Sequence, residues 1–472
     1  MRRDRIVPLI IAVALFMENM DSTVIATSLP AIATDIGANP LELKLAVTSY
    51  LLSLAVFIPA SGWTADRFGA RTVFRAAIAV FMLGSIGCAL SSSLSDFVIA
   101  RIIQGMGGAM MTPVGRMVLV RSISKRELVN AMAWVTTPAL IGPVLGPPIG
   151  GFITTYATWH WIFIINLPIG LLGIILATRY IDDLRAEVRE RFDIFGMVLA
   201  GLGIAGVAFG FSVLGLNFLP WWIVVALVFS GTCFIAAYLV HARHTENPAL
   251  DLTLFRLPTF FASVTGGFIF RLGLGALPFL LPLMLQVGFG MTPFQSGMIT
   301  FATALGAMGM KWATATILRR FGFRAILVVN SVISAAFLAV CAAFTATTPV
   351  AIMVVLLLIG GFFRSLQFTS INTIAYAEVE QRRVSKATAL VSVAQQLSVS
   401  TGVAVGALAV ETTVRFKGTG ILEASDFPPA FLAVAAISAL SVLIFMRLPA
   451  DAGAEMANRL PAGDDTADHK VA

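Results

Sequence analysis

The sequence predicts an all-α polytopic membrane protein with about fourteen transmembrane helices. Three observations predict it. Of 472 residues, 58% are hydrophobic and only 12% charged, against about 25% charged in a soluble domain. Mean hydropathy is +0.90, and apolar runs repeatedly reach about 20 residues, enough to cross a hydrocarbon core about 30 Å thick. Lys and Arg gather in alternate gaps between those runs, as the positive-inside rule requires. Lipid offers the backbone no hydrogen-bond partner, so the spans are helices. The alternating pattern of β-barrel strands is absent.

The first apolar run, near 6–29, follows "MRRDR" like a signal peptide. It is too long for one, carries Glu18 and Asp21, and lacks a small-residue cleavage site, so it is read as span one. The remaining spans lie near 44–63, 73–92, 97–119, 131–154, 161–179, 194–213, 220–240, 260–286, 296–317, 325–345, 349–373, 386–411 and 428–447. Loops are too short for a soluble domain. The polar residues 451–472 read as a disordered cytoplasmic tail. Arg67, Arg71 and Arg75, with Arg319, Arg320 and Arg324, fall on one side. Lys44, Arg415 and Lys417 are the basic residues of the other. That asymmetry places both termini in the cytoplasm.

An echo recurs at an offset of 253 residues: "DRFGAR" at Asp66–Arg71 against "RRFGFR" at Arg319–Arg324, and Gly107-Gly108 against Gly360-Gly361. It divides the chain into a six-helix bundle (1–190), an inserted two-helix hairpin (191–245) and a second six-helix bundle (246–450).

Composition excludes several classes. Cys88, Cys233 and Cys341 all fall inside spans, without zinc spacing or a disulfide framework. The histidines His160, His241, His244 and His469 lie in loops or the tail. No nucleophile–base set and no phosphate-binding glycine loop is visible, so neither enzyme chemistry nor ATP as energy source is expected. The net charge of +7 sits in short membrane loops and does not read as nucleic-acid binding. Expected partners are the bilayer and a small molecule, with a monomer sufficient; no cofactor or metal is expected.

Charge inside the spans is the functional signal, because a central carboxylate costs about 3 kcal/mol to insert. Glu18 and Asp21 share roughly one helix face. Asp21 lies 15 residues from Ile6, and Arg101 enters from the opposite side, so both fall at similar depth. A pair there lowers the cost of burying either charge, and protonating the acid frees the arginine. A static salt bridge is the alternative. In the second half the intramembrane charges are positive: Arg271, Lys311 and Arg364. They imply a cavity open to water and suited to an anion, with Gln286, Gln367, Asn372, Gln395 and Gln396 as neutral hydrogen-bonding groups. Arg116 near a span end reads as a snorkelling residue. Phe16, Met17, Trp134, Phe270 and Met284 read as packing between spans.

"GWTADRFGAR" at Gly62–Arg71 resembles the loop signature of the major facilitator superfamily. "ARIIQGMGGAMMTP" at Ala100–Pro113 is similar to its fourth-span motif. "PALIGPVLGPPIGG" at Pro138–Gly151 is similar to its antiporter motif, matching at Gly142, Pro143, Gly146, Gly150 and Gly151. "MDSTVIATSLP" and "WHWIFIINLPIG" resemble the fourteen-span drug:proton antiporters, with His160 where that family usually has Arg. The resemblance implies a major facilitator fold and a proton-coupled exporter of small organic compounds in a bacterial inner membrane. Asp21, Glu18 and Arg101 would carry protons; Gly62, Asp66, Arg67, Gly69 and Arg71 would gate. Gly142 to Gly151, with Pro143 and Pro147, would form a smooth, bent rocking surface. Two alternatives stay open: an exporter of small organic anions such as citrate or metal-citrate, and a channel or sensor that does not transport.

Overall fold

The computed structural model describes residues 3–122, 128–182, 193–214, 219–380, 383–418 and 421–457. In chain order the long helical segments are α1 (Ile6–Asp35), α2 (Lys44–Phe68), α3 (Ala70–Ala89), α4 (Leu94–Leu119), α5 (Leu128–Tyr156), α6 (Trp161–Tyr180) and α7 (Ile194–Val213). They continue with α8 (Trp221–His244), α9 (Pro258–Gly288), α10 (Pro293–Phe321), α11 (Phe323–Ala343), α12 (Val350–Ile374), α13 (Val384–Lys417) and α14 (Ala424–Phe445). Twelve are long and apolar enough to cross a membrane. The other two, α5 and α10, are 29-residue helices packed between them, and they complete the fourteen. No strand occurs among the described residues.

The 253-residue echo is a repeat of packing. In the first half α1 runs along α5, and α4 is flanked by α2 and α3; in the second, α9 runs along α13, and α12 is flanked by α10 and α11. Gly69 (φ 92°) and Gly322 (φ 77°) occupy the same place in each repeat. Both join two helices through a one-residue turn in the left-handed region that favours glycine. The signature at Gly62–Arg71 is therefore less a loop than the sequence suggests. Helix α2 continues through Asp66 and Arg67 to Phe68, and Gly69 alone breaks it. Gly108 faces Tyr50 and Leu54 of α2, while its counterpart Gly361 abuts the Thr303 carbonyl of α10.

Helices α7 and α8 pack on each other, and α7 rests on both α2 and α13, so the hairpin touches both halves. Its base is pinned by hydrogen bonds. The Asp193 carboxylate accepts from Gly196 N at 2.8 Å and Ala249 N at 3.2 Å, and meets His241 Nε2 at 2.7 Å. The Tyr238 hydroxyl donates to Leu250 O and accepts from Leu250 N.

Two sequence expectations change. Residues 451–457 are not a disordered tail: Leu448 is buried, Ala452 packs on the same core as Phe323, and the chain turns through a short helix at Glu455–Ala457. Residues 458–472 lie outside the described ones, as do Lys125, Arg126, Arg185, Arg189, Arg191, Arg382, His469 and the Trp134 side chain. Lys44, read as a loop charge, is fully buried at the start of α2.

Candidate functional site

Asp21 and Arg101 do meet. Arg101 Nη1 donates to Asp21 Oδ2 at 2.8 Å, with both side chains 1% exposed. Asp21 Oδ1 accepts from Gln104 Nε2 at 2.9 Å and Asn166 Nδ2 at 2.8 Å. The Ser85 hydroxyl accepts from the same two amides at 2.9 and 3.2 Å. Arg101 also donates to the Ala46 carbonyl, and its guanidinium lies over the Tyr50 ring at 4.1 Å. Every member is buried. Hydrogen bonds of this kind to both oxygens are what let a carboxylate persist in an apolar medium. Asn166 and Ser85 were not singled out in the sequence; their signal was a polar side chain amid an apolar span.

Glu18 sits differently. It is half-buried, and its Oε2 accepts from Thr112 Oγ1 at 2.8 Å. Arg116, one turn further along α4, is exposed.

The second half is cationic. Arg271 is 1% exposed, donates to Asn372 Oδ1 at 2.6 Å and lies 5.3 Å from the Phe368 ring centre. Lys311, exposed, donates to Thr369 Oγ1 at 3.3 Å. Positions 369 and 372 are three apart on α12, so Lys311 and Arg271 reach the same stretch of that helix. Among the described residues neither has a carboxylate within 4 Å.

Helix phase turns two of the cavity candidates toward α11. Gln367 is 0% exposed; its amide donates to Ser331 Oγ and Leu327 O and accepts from Asn330. Arg364 shares that face of α12 and lies among Leu277, Leu338, Cys341 and Gly360, between α9, α11 and α12. Gln286 bridges the halves, donating to Thr27 O at 2.9 Å. Gln395 and Gln396 are half-buried on α13. Phe270, Met284 and Met17 are buried in the core, and Phe16, half-buried, packs against the cluster that holds Met284.

The glycine-rich stretch of α5 works as two faces of one unbroken helix. Gly142, Gly146 and Gly150 lie against the α1 backbone and side chains, whereas Gly151 and Pro147 touch α10 of the other half. Small residues let backbones approach this closely. Near Asp66, Arg67 stacks over Trp63 and Phe68 at 5.5 and 5.8 Å, and Arg71 donates to the Ile181 carbonyl at 3.5 Å. Asp66 and Gly62 are half-buried in the last turns of α2.

Polar contacts between the halves lie toward the Lys44 end, while Ala55 packs against Leu390 and Val391 further along α2. Contacts at the Lys44 end include Gln286 to Thr27, Phe294 N to Thr155 Oγ1 at 3.0 Å, Gly151 against Pro293, and Lys44 Nζ to Glu411 Oε2 at 3.8 Å.

A family model described as Major Facilitator Superfamily matches residues 11–194 and 260–466, passing over most of the α7–α8 hairpin. The chain belongs to that superfamily. Major facilitator proteins are transporters rather than enzymes, and this one is a multi-pass membrane transporter. Curated relatives include the "Putative multidrug resistance protein MdtD" of Salmonella heidelberg (strain SL476) and of Salmonella typhimurium (strain LT2). Each is 37% identical over 94% of both chains. Among solved structures a D-xylose-proton symporter aligns with a TM-score of 0.67 at 15% identity, covering 95% of this chain and 98% of its own. The human organic anion transporter MFSD10 aligns at 0.62 with 14% identity, covering 94% and 100%. At that identity the likeness concerns the major facilitator fold alone.

Proposed function

We propose that this transporter is a proton-coupled exporter of small organic compounds, a multidrug antiporter of a bacterial inner membrane with both termini cytoplasmic. The observation that carries the reading is a pair of carboxylates inside the first half, Asp21 held by Arg101 and Glu18 held by Thr112. An ionisable group kept there at a cost in insertion energy is a functional group by default. In this reading the Lys44 end is periplasmic and the Asp66 end cytoplasmic. Alternating access is rocking of one half on the other along the α5–α10 seam, with Gly62–Arg71 gating the cytoplasmic side. The division into two six-helix bundles and an inserted hairpin belongs to the same proposal, as does action as a monomer with protons as coupling ion. The multidrug wording of the relatives' names agrees with it.

The test is substrate-driven proton movement in vesicles reconstituted with the purified chain. Addition of an exported compound should move protons the opposite way, and an uncoupler should abolish its accumulation. Accumulation that ignores the proton gradient would point to a channel or sensor.

A second reading rests on one feature: Arg271 is buried and Lys311 reaches the same helix, and among the described residues neither has a carboxylate partner. Such a face suits an organic anion such as citrate or metal-citrate. Counterflow of labelled citrate against a lipophilic cation dye separates the two: saturable dye exchange without citrate exchange removes the anion.

A further inference from the structure

The two repeats fill the same interior place differently. In the first half, the Gln104 amide of α4 donates to Ser85 of α3 and to Asp21 of α1, which Arg101 also holds. Shifted by the 253-residue offset, Ser85, Cys88, Gln104 and Gly107 become Leu338, Cys341, Leu357 and Gly360. Those four line a pocket between α9, α11 and α12, with Leu277 of α9 and Arg364 also on its wall. Leucines stand where the first half has its hydroxyl and its amide. The one charge is Arg364, whose counterpart is Met111, a fully buried apolar residue of the first half. Arg364 Nε donates to the Gly360 carbonyl of its own helix at 3.3 Å. Among the described residues no acceptor is bonded to its terminal nitrogens, and no carboxylate lies within 4 Å. A guanidinium keeps its charge, and a charge among leucines without a partner is costly.

We propose that this pocket is a halide site, where one chloride takes in the second half the place that the Asp21 carboxylate takes in the first. The pocket has room for a single water-sized body, which excludes phosphate, sulfate and organic carboxylates. Its other walls are leucine, glycine and cysteine, so the outer oxygens of an oxyanion would find no donors there; a monatomic anion has none to satisfy. The chloride accepts from the terminal N–H groups of Arg364, cancels its charge and holds α12 against α9 and α11. It is a resident ion and not the cargo: the pocket is turned toward α11, away from the Asn372 and Thr369 side chains that meet Arg271 and Lys311. The inference goes beyond the antiport reading and does not depend on it.

The test is thermal melting of the full chain in detergent, in sodium chloride, bromide, gluconate or sulfate at one ionic strength. Chloride and bromide should raise the melting temperature over gluconate and sulfate, by about 1–2 °C for each tenfold rise above half-saturation. Arg364→Met, which copies the residue of the first half, should lose that dependence and melt in gluconate no lower than the parent, since the bare charge is gone. Leu357→Glu supplies a carboxylate at the counterpart of Gln104, so it should lose the halide dependence with the arginine still present. Crystals of the parent grown in bromide should show an anomalous peak beside Arg364, between α9, α11 and α12. Equal melting of the parent in chloride and gluconate overturns the site. So does halide stabilisation that persists in Arg364→Met, which would place the ion on another cation, or a bromide crystal without the peak.

Discussion

Lys44 offers the sharpest energetic test. Its side chain is 0% exposed, and its Nζ has no hydrogen bond; the nearest opposite charge is Glu411 Oε2, 3.8 Å away on the other half. At an effective dielectric near 20 that attraction is worth about 4 kcal/mol before the cost of desolvating the ammonium. Replacing Lys44 by Met leaves Glu411 with Arg415, which holds the other carboxylate oxygen at 2.9 Å. The stranded oxygen therefore costs less than a bare buried charge, about 1–2 kcal/mol, which shifts a two-state equilibrium roughly 5–30-fold. In the proposed cycle the shift favours the arrangement open on the periplasmic side, where water reaches Glu411. Thr27, 0% exposed at the seam, reports it. In a background lacking Cys88, Cys233 and Cys341, Thr27→Cys should react with an impermeant maleimide about 5–30-fold faster when Lys44→Met is added. Adding Glu411→Met as well should return the rate toward the parent, because an apolar pair of similar volume replaces a buried ion pair at little cost. Unchanged labelling in Lys44→Met, or a double variant as fast as the single one, refutes the reasoning.

Three further outcomes are expected. Gly361→Ala would drive a methyl into the Thr303 carbonyl, forcing α12 off α10; the melting temperature should fall by the equivalent of about 1–3 kcal/mol, as for overpacked cores. Asn166→Ala removes one donor from Asp21 and leaves that oxygen with Gln104 alone, which should cost about 1–3 kcal/mol in thermal stability, while Asn166→Asp, a second buried acid, should be worse. Outside the spans, burial alone would raise the Asp251 pKa, but hydrogen bonds from Thr253 and the Arg383 guanidinium at 2.8 Å outweigh it and hold the carboxyl below the usual range. A depressed folded pKa adds stability above the ordinary value of about 4 and loses it as pH falls below that. Asp251→Asn should thus be less stable than the parent by about 1 kcal/mol at pH 7, with the gap closing toward pH 3 in a melting series.

The sequence by itself determined the helical membrane architecture, the number of long helices, the two-fold echo and the depth at which Asp21 and Arg101 meet. Each follows from spacing along the chain: run length against bilayer thickness, charge in alternate loops, and 1.5 Å of rise per residue. What it left open was rotation of each helix about its own axis. A soluble helix shows its buried face as a polar–apolar stripe, but a span is apolar toward lipid and toward its neighbours alike, so that stripe vanishes. Only the tertiary structure decided that Gln367 and Arg364 turn toward α11 while Asn372 turns to Arg271. The same packing locked Asp21 and left Glu18 half-buried, and it buried Lys44 against a partner 367 positions along the chain. Those outcomes depend on which helix lies alongside which, a long-range fact that no local pattern encodes.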